Sequence, residues 1–558
     1  MLCVVLVSAS DCCPVFFRLS SALPPGPRRL FFLGNVLQIP MEYQYRRFGE
    51  WGEKYGDIIH IRLFRTPAIV LNSVKAAQDL MAKKSPKYSD RPPLVFMKQI
   101  LGWDPATPFM CYGDRWRKHR KWIQTAYGER TSLVGHRTLL KRECMVLVQN
   151  LMVSPEIFLI HLRRFPASLV MTSLYGQPIQ STEDEHFRMA ESALHATVKA
   201  GESAGSLIDF FPFLQYVPDW LPGAASLREA RQVRQSIRRL FDDPYHMIKR
   251  QLDNNEEVRD CLIAALYRES ARNGSLADDE DDIKGVGASV YSGNVLVFIA
   301  VSPLFTYSSK AGVDTVNTHP GFPSVLTYFQ TSIVLSTFML AMVLHPRVYV
   351  KARDEIERIV GMSNLPTLEH KDSLPYINCI IQELYRYVAV FRQSIVYYTL
   401  QDISWNPPLP LGLPHHLQSV DEYRNFHIPR GSMIFANICK CPARPNYIAM
   451  QSRFVLSDPE RFEDANVDVL SDPRNYVFGF GRRICPGRHF AEDAIWLAIT
   501  HIVSIFDIEK AYNADGGEIT PAVHFRPGLT SPPAEFKGKI YPRSSELVSL
   551  ILAGHLHE

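Results

Sequence analysis

Phe478-Gly-Phe-Gly-Arg-Arg-Ile-Cys-Pro-Gly487 is the stretch on which the reading of this chain turns. Glycines at 479 and 481 let the backbone fold tightly around the sulfur of Cys485. Arg482 and Arg483 put positive charge beside it, and Pro486 reads as the first position of a helix running through Ala491, Ile495 and Ile499. A cysteine just ahead of a helix N-terminus and next to arginines is expected to have a lowered pKa and to carry a thiolate. A thiolate is a metal ligand or a nucleophile; the plainer alternative is a buried cysteine in a glycine-rich turn.

The composition is that of a globular protein with a large core: 558 residues, 46% hydrophobic and 21% charged. A net charge of +4 gives no support for nucleic-acid binding. The ten cysteines lack the regular spacing of a disulfide framework and fit a reducing compartment. Cys12, Cys13, Cys439 and Cys441 have no matching Cys/His pairs at zinc spacing. Short strands are expected at Phe31–Asn35, Asp57–Phe64 and Ala68–Leu71, the last two as a hairpin. Helical periodicity dominates the remainder, so the expected fold is mainly α with small β-sheets, in a single large domain. The acidic runs Asp253–Glu257 and Asp278–Asp282 are expected to be solvated loops.

Three further patterns carry chemistry. Trp116 and Arg120 share one face of a helix, so an indole N–H and a guanidinium can converge on one anion. Ala311-Gly-Val-Asp-Thr315 combines small residues, which admit a flat cofactor or oxygen, with an adjacent acid and alcohol, Asp314 and Thr315, able to relay protons. Glu383-Leu-Tyr-Arg386 says little alone, since Glu185, Glu256, Glu269 and Glu355 also have arginine three residues on. Its place between an amphipathic segment beginning at Asp372 and a Pro-Glu-Arg-Phe462 element singles it out.

The cysteine loop closely resembles the haem-binding loop of the cytochrome P-450 family, F-x-x-G-x-R-x-C-x-G, with Phe478, Gly481, Arg483, Cys485 and Gly487 at the fixed positions. The resemblance implies a P-450-type haem domain holding haem b (iron protoporphyrin IX). Cys485 would be the proximal iron ligand, Phe478 would shelter its sulfur, and Arg483, Trp116, Arg120 and His415 would reach the haem propionates. Glu383, Arg386 and Arg461 would form a buried ionic triad that serves folding. Asp314 and Thr315 would supply protons on the distal side. The implied reaction is monooxygenation: reductive activation of O2 and insertion of one oxygen atom into an apolar substrate. Too little chain follows Cys485 for a flavin domain, so electrons would come from NADPH through a separate flavoprotein reductase. Arg482, Arg488, Lys118 and Lys121 would make a basic docking patch for it. Substrate contacts would fall near Asp90–Trp103 and Gly528–Phe536. The chain looks most like fungal microsomal members of secondary or xenobiotic metabolism.

Residues 1–22 form a short apolar segment, interrupted by Asp11 and Pro14, that falls short of the ~20 residues needed to span a bilayer. A proline-rich hinge, Leu23-Pro-Pro-Gly-Pro-Arg-Arg29, follows and opens the haem domain, 23–558. The resemblance implies attachment to the endoplasmic reticulum membrane on its cytosolic face, through a weak anchor. Three stretches depart from the family: 293–310, 316–330 and 387–404. Pro303, Pro320, Gly321 and Pro323 break any helix through Asp314. The eighteen residues of the first stretch alone would add ~27 Å of helix. Excising all three restores the family pattern, which suggests translated introns. The alternatives are surface loops, or a catalytically dead or misfolded product of a faulty gene model.

Overall fold

The computed structural model describes residues 22–40, 43–181, 183–203, 205–221, 224–293, 330–362, 364–387, 411–438, 472–525 and 532–544, with Val548 and Ile551. Asp314, Thr315 and Arg461 lie outside the described residues. So do 1–21 and nearly all of the three departing stretches, apart from the helix-end residues Gly293, Gln330 and Tyr387.

Helices build the body and small sheets flank it, as the sequence pattern leads one to expect. The most buried helices are apolar all round, as a helix enclosed by others must be. Every residue from Thr331 to Val343 in the helix Gln330–Leu344 is buried. The helix Arg488–Ile505, which follows the cysteine loop, buries twelve of its eighteen residues and packs on Arg130–Val153 and on Gln330–Leu344. Its first residue is Arg488 with Gly487 as N-cap, so Pro486 lies outside the helix rather than at its first position. The helix Asp114–Tyr127 is amphipathic: Trp116, His119, Ile123 and Tyr127 point inward at helical spacing.

The main sheet has the order β1 (Ile58–Leu63), β2 (Thr66–Leu71), β6 (Met433–Ala436), β3 (His415–His416). β1 and β2 form the expected antiparallel hairpin, β2 runs parallel to β6, and β3 returns antiparallel. The β2 strand is buried over Ala68–Leu71, so its apolar run needs no alternation. β4 (Asp421–Tyr423) and β5 (Phe426–Ile428) are joined through Arg424 and Asn425, both at positive φ, the two-residue turn whose twist suits a hairpin. A third sheet holds β7 (Phe506–Tyr512) between β8 (Glu518–Ile519) and β9 (Gly538–Pro542).

Two local expectations give way. Phe31–Asn35 is no strand: Gly34 makes single bridges to Leu30 and Leu63, and Phe31 stands almost fully exposed. Asp278–Asp282 is not a loop but lies in the first turns of the helix Leu276–Gly293. Acidic residues there favour the positive end of the helix dipole. Asp279 and Asp282 are buried against Lys118 and Arg115 of the Asp114–Tyr127 helix.

Buried polar groups tie the helices together. Arg386 makes a bidentate contact with Glu383, whose Oε2 lies 2.7 Å from Arg386 Nε and which is fully buried. Glu355 accepts from the Tyr376 and Ile377 N–H groups at 3.0 and 3.1 Å, capping the helix Pro375–Tyr387. Pro155–Tyr175 is the one stretch among the described residues long and apolar enough to cross a membrane. It lies 78% buried inside the fold, as a core helix does.

His501, on the helix after the cysteine loop, donates from Nε2 to Pro366 O at 3.0 Å. Burial, aided by Lys141, lowers its pKa from 6.5 to about 4. The unfolded chain therefore takes up a proton that the folded one refuses, and the stability present above pH 6.5 is lost as pH falls toward 4. In denaturant titrations, His501→Gln should lose about 2 kcal/mol less than the parent between about pH 7 and pH 5. Equal losses would refute the assignment.

Candidate active site

The cysteine loop is closed by its own backbone. The N–H of Cys485 donates to Phe478 O at 2.8 Å, and a tight turn over Gly481–Arg483 is held by Arg483 N to Phe480 O and Ile484 N to Gly481 O. Gly481 sits at φ +55°, and a Cβ there would lie 2.3 Å from Met81 O. Backbone thus abuts backbone, which only glycine permits. Phe478 packs edge-on against Tyr385 at 5.6 Å, joining the loop to the helix that carries Glu383 and Arg386.

Cys485 is enclosed by protein yet has open surface, because it faces an internal cavity of ≈ 310 Å³. Phe478, Gly487, Phe490 and Ala494 form the wall around the cysteine, while Val290, Thr331, Val334 and Leu169 are among the other lining residues. The lining is mostly apolar. Gly487 also borders the cavity, and a Cβ on it would meet nothing within 4 Å, so its bare backbone leaves room for a flat group. Burial pushes the Cys485 thiol pKa up; the Gly487 N–H, Arg120 and Arg488 oppose this without reversing it. The expected lowering by arginines and helix end is therefore corrected: desolvation of the thiolate outweighs them until a cation binds the sulfur.

Positive charge rings the cavity. Trp116, Arg120, His415 and Arg483 all line it, as does Arg91, which sequence reasoning missed. Arg483 donates Nε to Ser89 O and Nη2 to Met110 O, both at 2.7 Å, and Nη1 to Thr107 O at 3.5 Å. It lies 4.5 Å from the centre of the Trp116 ring, a cation–π contact. Arg91 donates to the carbonyls of Pro108, Leu413 and Pro414. Arg120 donates to Ile484 O and to Gln124 Oε1. Among the described residues none of the three arginines pairs with a carboxylate, and each keeps N–H donors to spare. Burial and the neighbouring Arg483 lower the Arg91 pKa, and burial, with Arg120 adding to it, lowers that of Arg483 to about 10; the nearby Asp90 carboxylate opposes both shifts without reversing them. Burial, Arg91 and Arg483 push His415 far down, so its imidazole is neutral, with Nδ1 donating to Tyr88 O at 2.6 Å.

Buried, mutually repelling guanidiniums beside an apolar slot require an anion. A flat, apolar group with carboxylates on its edge, and a soft metal at its centre for Cys485, meets every feature of this site. Haem is such a group, and the residues fit it. The class defined here is a cysteine-ligated haem protein.

Comparison with known proteins agrees. The family model for cytochrome P450 matches residues 24–286 and 330–537. Cytochrome P450 monooxygenases 136 and 176 of Postia placenta are 37% and 38% identical to this chain, each over 95% of it and over 91% and 92% of their own lengths. Cytochrome P450 monooxygenase claT of Ampulloclitocybe clavipes is 32% identical over 96% of this chain and 94% of its own. The chain belongs to the cytochrome P450 family and is a haem-thiolate monooxygenase, an oxidoreductase that uses O2, a redox partner and a hydrophobic substrate. Nothing in these matches favours a dead or misfolded product.

Several expected residues fall elsewhere. Lys118 is spoken for by Asp279 and Asp282 (2.7 Å to Asp282 Oδ2), which removes it from a free basic patch; Arg482 and Lys121 remain exposed. Of Asp90–Trp103 only Arg91 lines the cavity, and of Gly528–Phe536 none of the described residues does. Thr107 and Pro108 stand there instead. They open a single 3-10 turn, Thr107–Phe109, too short to show a periodicity from which direction can be read in sequence.

Gly481→Ala should abolish haem loading or lower the melting temperature sharply, since both the left-handed backbone and the Met81 carbonyl oppose a Cβ. Gly487→Ala, with open space, should fold normally and lose haem affinity. Equal behaviour of the two in haem titration and thermal melting would contradict this account.

Proposed function

We propose that this chain is a membrane-associated monooxygenase of fungal secondary or xenobiotic metabolism, with Cys485 as its proximal iron ligand. The observation that carries the reading is Cys485 bare on the wall of an apolar cavity ringed by Arg91, Arg120 and Arg483. Arg91, Trp116, Arg120, His415 and Arg483 hold the propionates, Phe478 shields the sulfur, and Gly487 gives the ring room. Bound haem supplies reductive activation of O2. Asp314 and Thr315 would supply protons for that chemistry. Arg461 completes the triad with Glu383 and Arg386.

Electrons come from NADPH through a flavoprotein reductase that docks where Arg482, Arg488 and Lys121 lie near the cysteine loop. Residues 293–310, 316–330 and 387–404 are translated introns absent from the native enzyme; that the family match stops at 286 and resumes at 330 supports this for the first two. Residues 23–558 without them make the haem domain.

The endoplasmic reticulum membrane is the proposed location, with the chain on its cytosolic face. Support comes from an exposed apolar surface as well as from the segment 1–22. Phe31, Phe213, Tyr216 and Trp220 are 98%, 67%, 79% and 77% exposed. Phe64 connects the two groups: its ring lies 5.1 Å from those of both Phe210 and Phe211, and its backbone N–H bonds Leu33 O. Such a surface embeds at the headgroup level of a bilayer.

The reduced, CO-treated protein should show the red-shifted Soret band of thiolate ligation, and Cys485→Ser should lose it. A chain lacking the three segments should load more haem and, with NADPH and a reductase, oxidise apolar substrates. Absence of the band from both chains would defeat the assignment of Cys485, and native transcripts carrying all three segments would defeat the intron reading. In flotation with phospholipid vesicles, joint Phe31→Ser, Phe213→Ser and Trp220→Ser changes should lower the bound fraction several-fold; an unchanged fraction would argue against this surface.

A further inference from the structure

One buried histidine has no part in the haem site as described. His119 is wholly inaccessible, on the inward face of the helix Asp114–Tyr127. Its Nε2 lies 3.1 Å from Asp282 Oδ1, an electrostatic contact without hydrogen-bond alignment, and its Nδ1 makes a 2.9 Å hydrogen bond with Thr107 Oγ1. Thr107 lines the cavity. A chain of three side chains therefore runs from a charged cluster between two helices to the cavity wall.

The chain has a direction. Asp282 is ionised: although burial opposes it, His119, Lys118 and Arg115 hold its carboxyl well below the usual range. A carboxylate facing Nε2 attracts a proton there and repels a lone pair. Turned over, the ring would offer carbon atoms, Cε1 to Asp282 and Cδ2 to Thr107, and lose both polar contacts, so this orientation is the favoured one. Burial keeps the imidazole neutral, so with the proton on Nε2 the Nδ1 atom is a bare acceptor. Thr107 must then donate its hydroxyl hydrogen to Nδ1. Its backbone N–H is engaged as well, by Ser289 Oγ at 2.7 Å, and Ser289 spends its own hydrogen on Gly285 O at 2.5 Å. Neither hydroxyl has a hydrogen left to offer the cavity.

We propose that Thr107, oriented by His119 and Asp282, is a specificity-determining hydrogen-bond acceptor, and that the cavity selects apolar substrates bearing a hydroxyl over the corresponding ketones. The inference rests on the reading of this cavity as the substrate site. A ketone at the same place would set its oxygen against the Thr107 oxygen with no hydrogen between them, whereas an alcohol supplies the missing donor.

The test is equilibrium binding to the ferric holoenzyme of 2-decalol, 2-decalone and decalin, three ligands of one skeleton, followed by the ligand-induced shift of the haem absorption. The parent should bind the alcohol about tenfold more tightly than the ketone, as one hydrogen bond is worth. Thr107→Val should bring that ratio near one while leaving decalin affinity unchanged, and Thr107→Ser should restore it. His119→Phe, which frees the Thr107 hydrogen, should move the preference toward the ketone; if that variant fails to load haem, the valine and serine variants decide the matter alone. A parent without preference, or a Thr107→Val protein that keeps it, overturns the proposal. Failure of all three ligands to bind a haem-loaded parent overturns the reading of the cavity itself.

Discussion

Excess positive charge around an apolar cavity is the constraint on which the rest of this structure depends. Arg91 and Arg483 are held inside the protein by backbone carbonyls, which satisfy their geometry and leave their charge standing. Each raises the cost of the other, and His415 is forced neutral between them. Such an arrangement is poor as a folding device, since buried charges that Asp90 offsets only in part destabilise. It makes sense only as half of a site whose other half is anionic. The cofactor is therefore part of the fold's electrostatic balance as well as of its chemistry, and binding it should stabilise the native state by simple linkage.

The cysteine loop answers the same constraint from the other side. A thiol in this position is pushed toward its neutral form by burial, and the positive groups near it do not overcome that. A cation coordinated by this sulfur would remove the proton outright, so the thiolate would belong to the bound state. Rigidity comes from Gly481 pressed on Met81 O, from the Cys485 N–H to Phe478 O bond, and from Tyr385 against Phe478. Through Tyr385 the loop is braced by the helix whose end Glu383 and Arg386 secure.

What sequence made legible follows from how local each determinant is. The cysteine loop, Trp116 with Arg120, and the Glu383/Arg386 pair are short patterns whose geometry is fixed within a turn or two: Trp116, Arg120 and Cys485 line one cavity, and Arg386 pairs with Glu383. The β1–β2 hairpin was equally plain from its apolar runs. Arg91 and Thr107 were not, because they act from irregular backbone brought to the cavity by distant contacts: Arg91 through Leu413 and Pro414, Thr107 through His119 and Ser289. The acidic run Asp278–Asp282 misled for a related reason. Composition suggests solvent for five consecutive acids, but Lys118 and Arg115 on another helix give Asp279 and Asp282 buried partners.

The two helices that end and begin around residues 294–329 bear on how this chain can hold its catalytic cavity. Ser289 and Val290, near the end of Leu276–Gly293, and Gln330, Thr331 and Val334, at the start of Gln330–Leu344, line one cavity. Both helices pack on Phe158–Tyr175. The chain therefore leaves the cavity wall after one helix and rejoins it at the next. A long segment between fixed ends costs little more entropy than a short one, growing only with the logarithm of its length. The packing of both helices on Phe158–Tyr175 can thus survive the intervening residues. The shape of this part of the cavity is therefore secured by the helices that flank the interval.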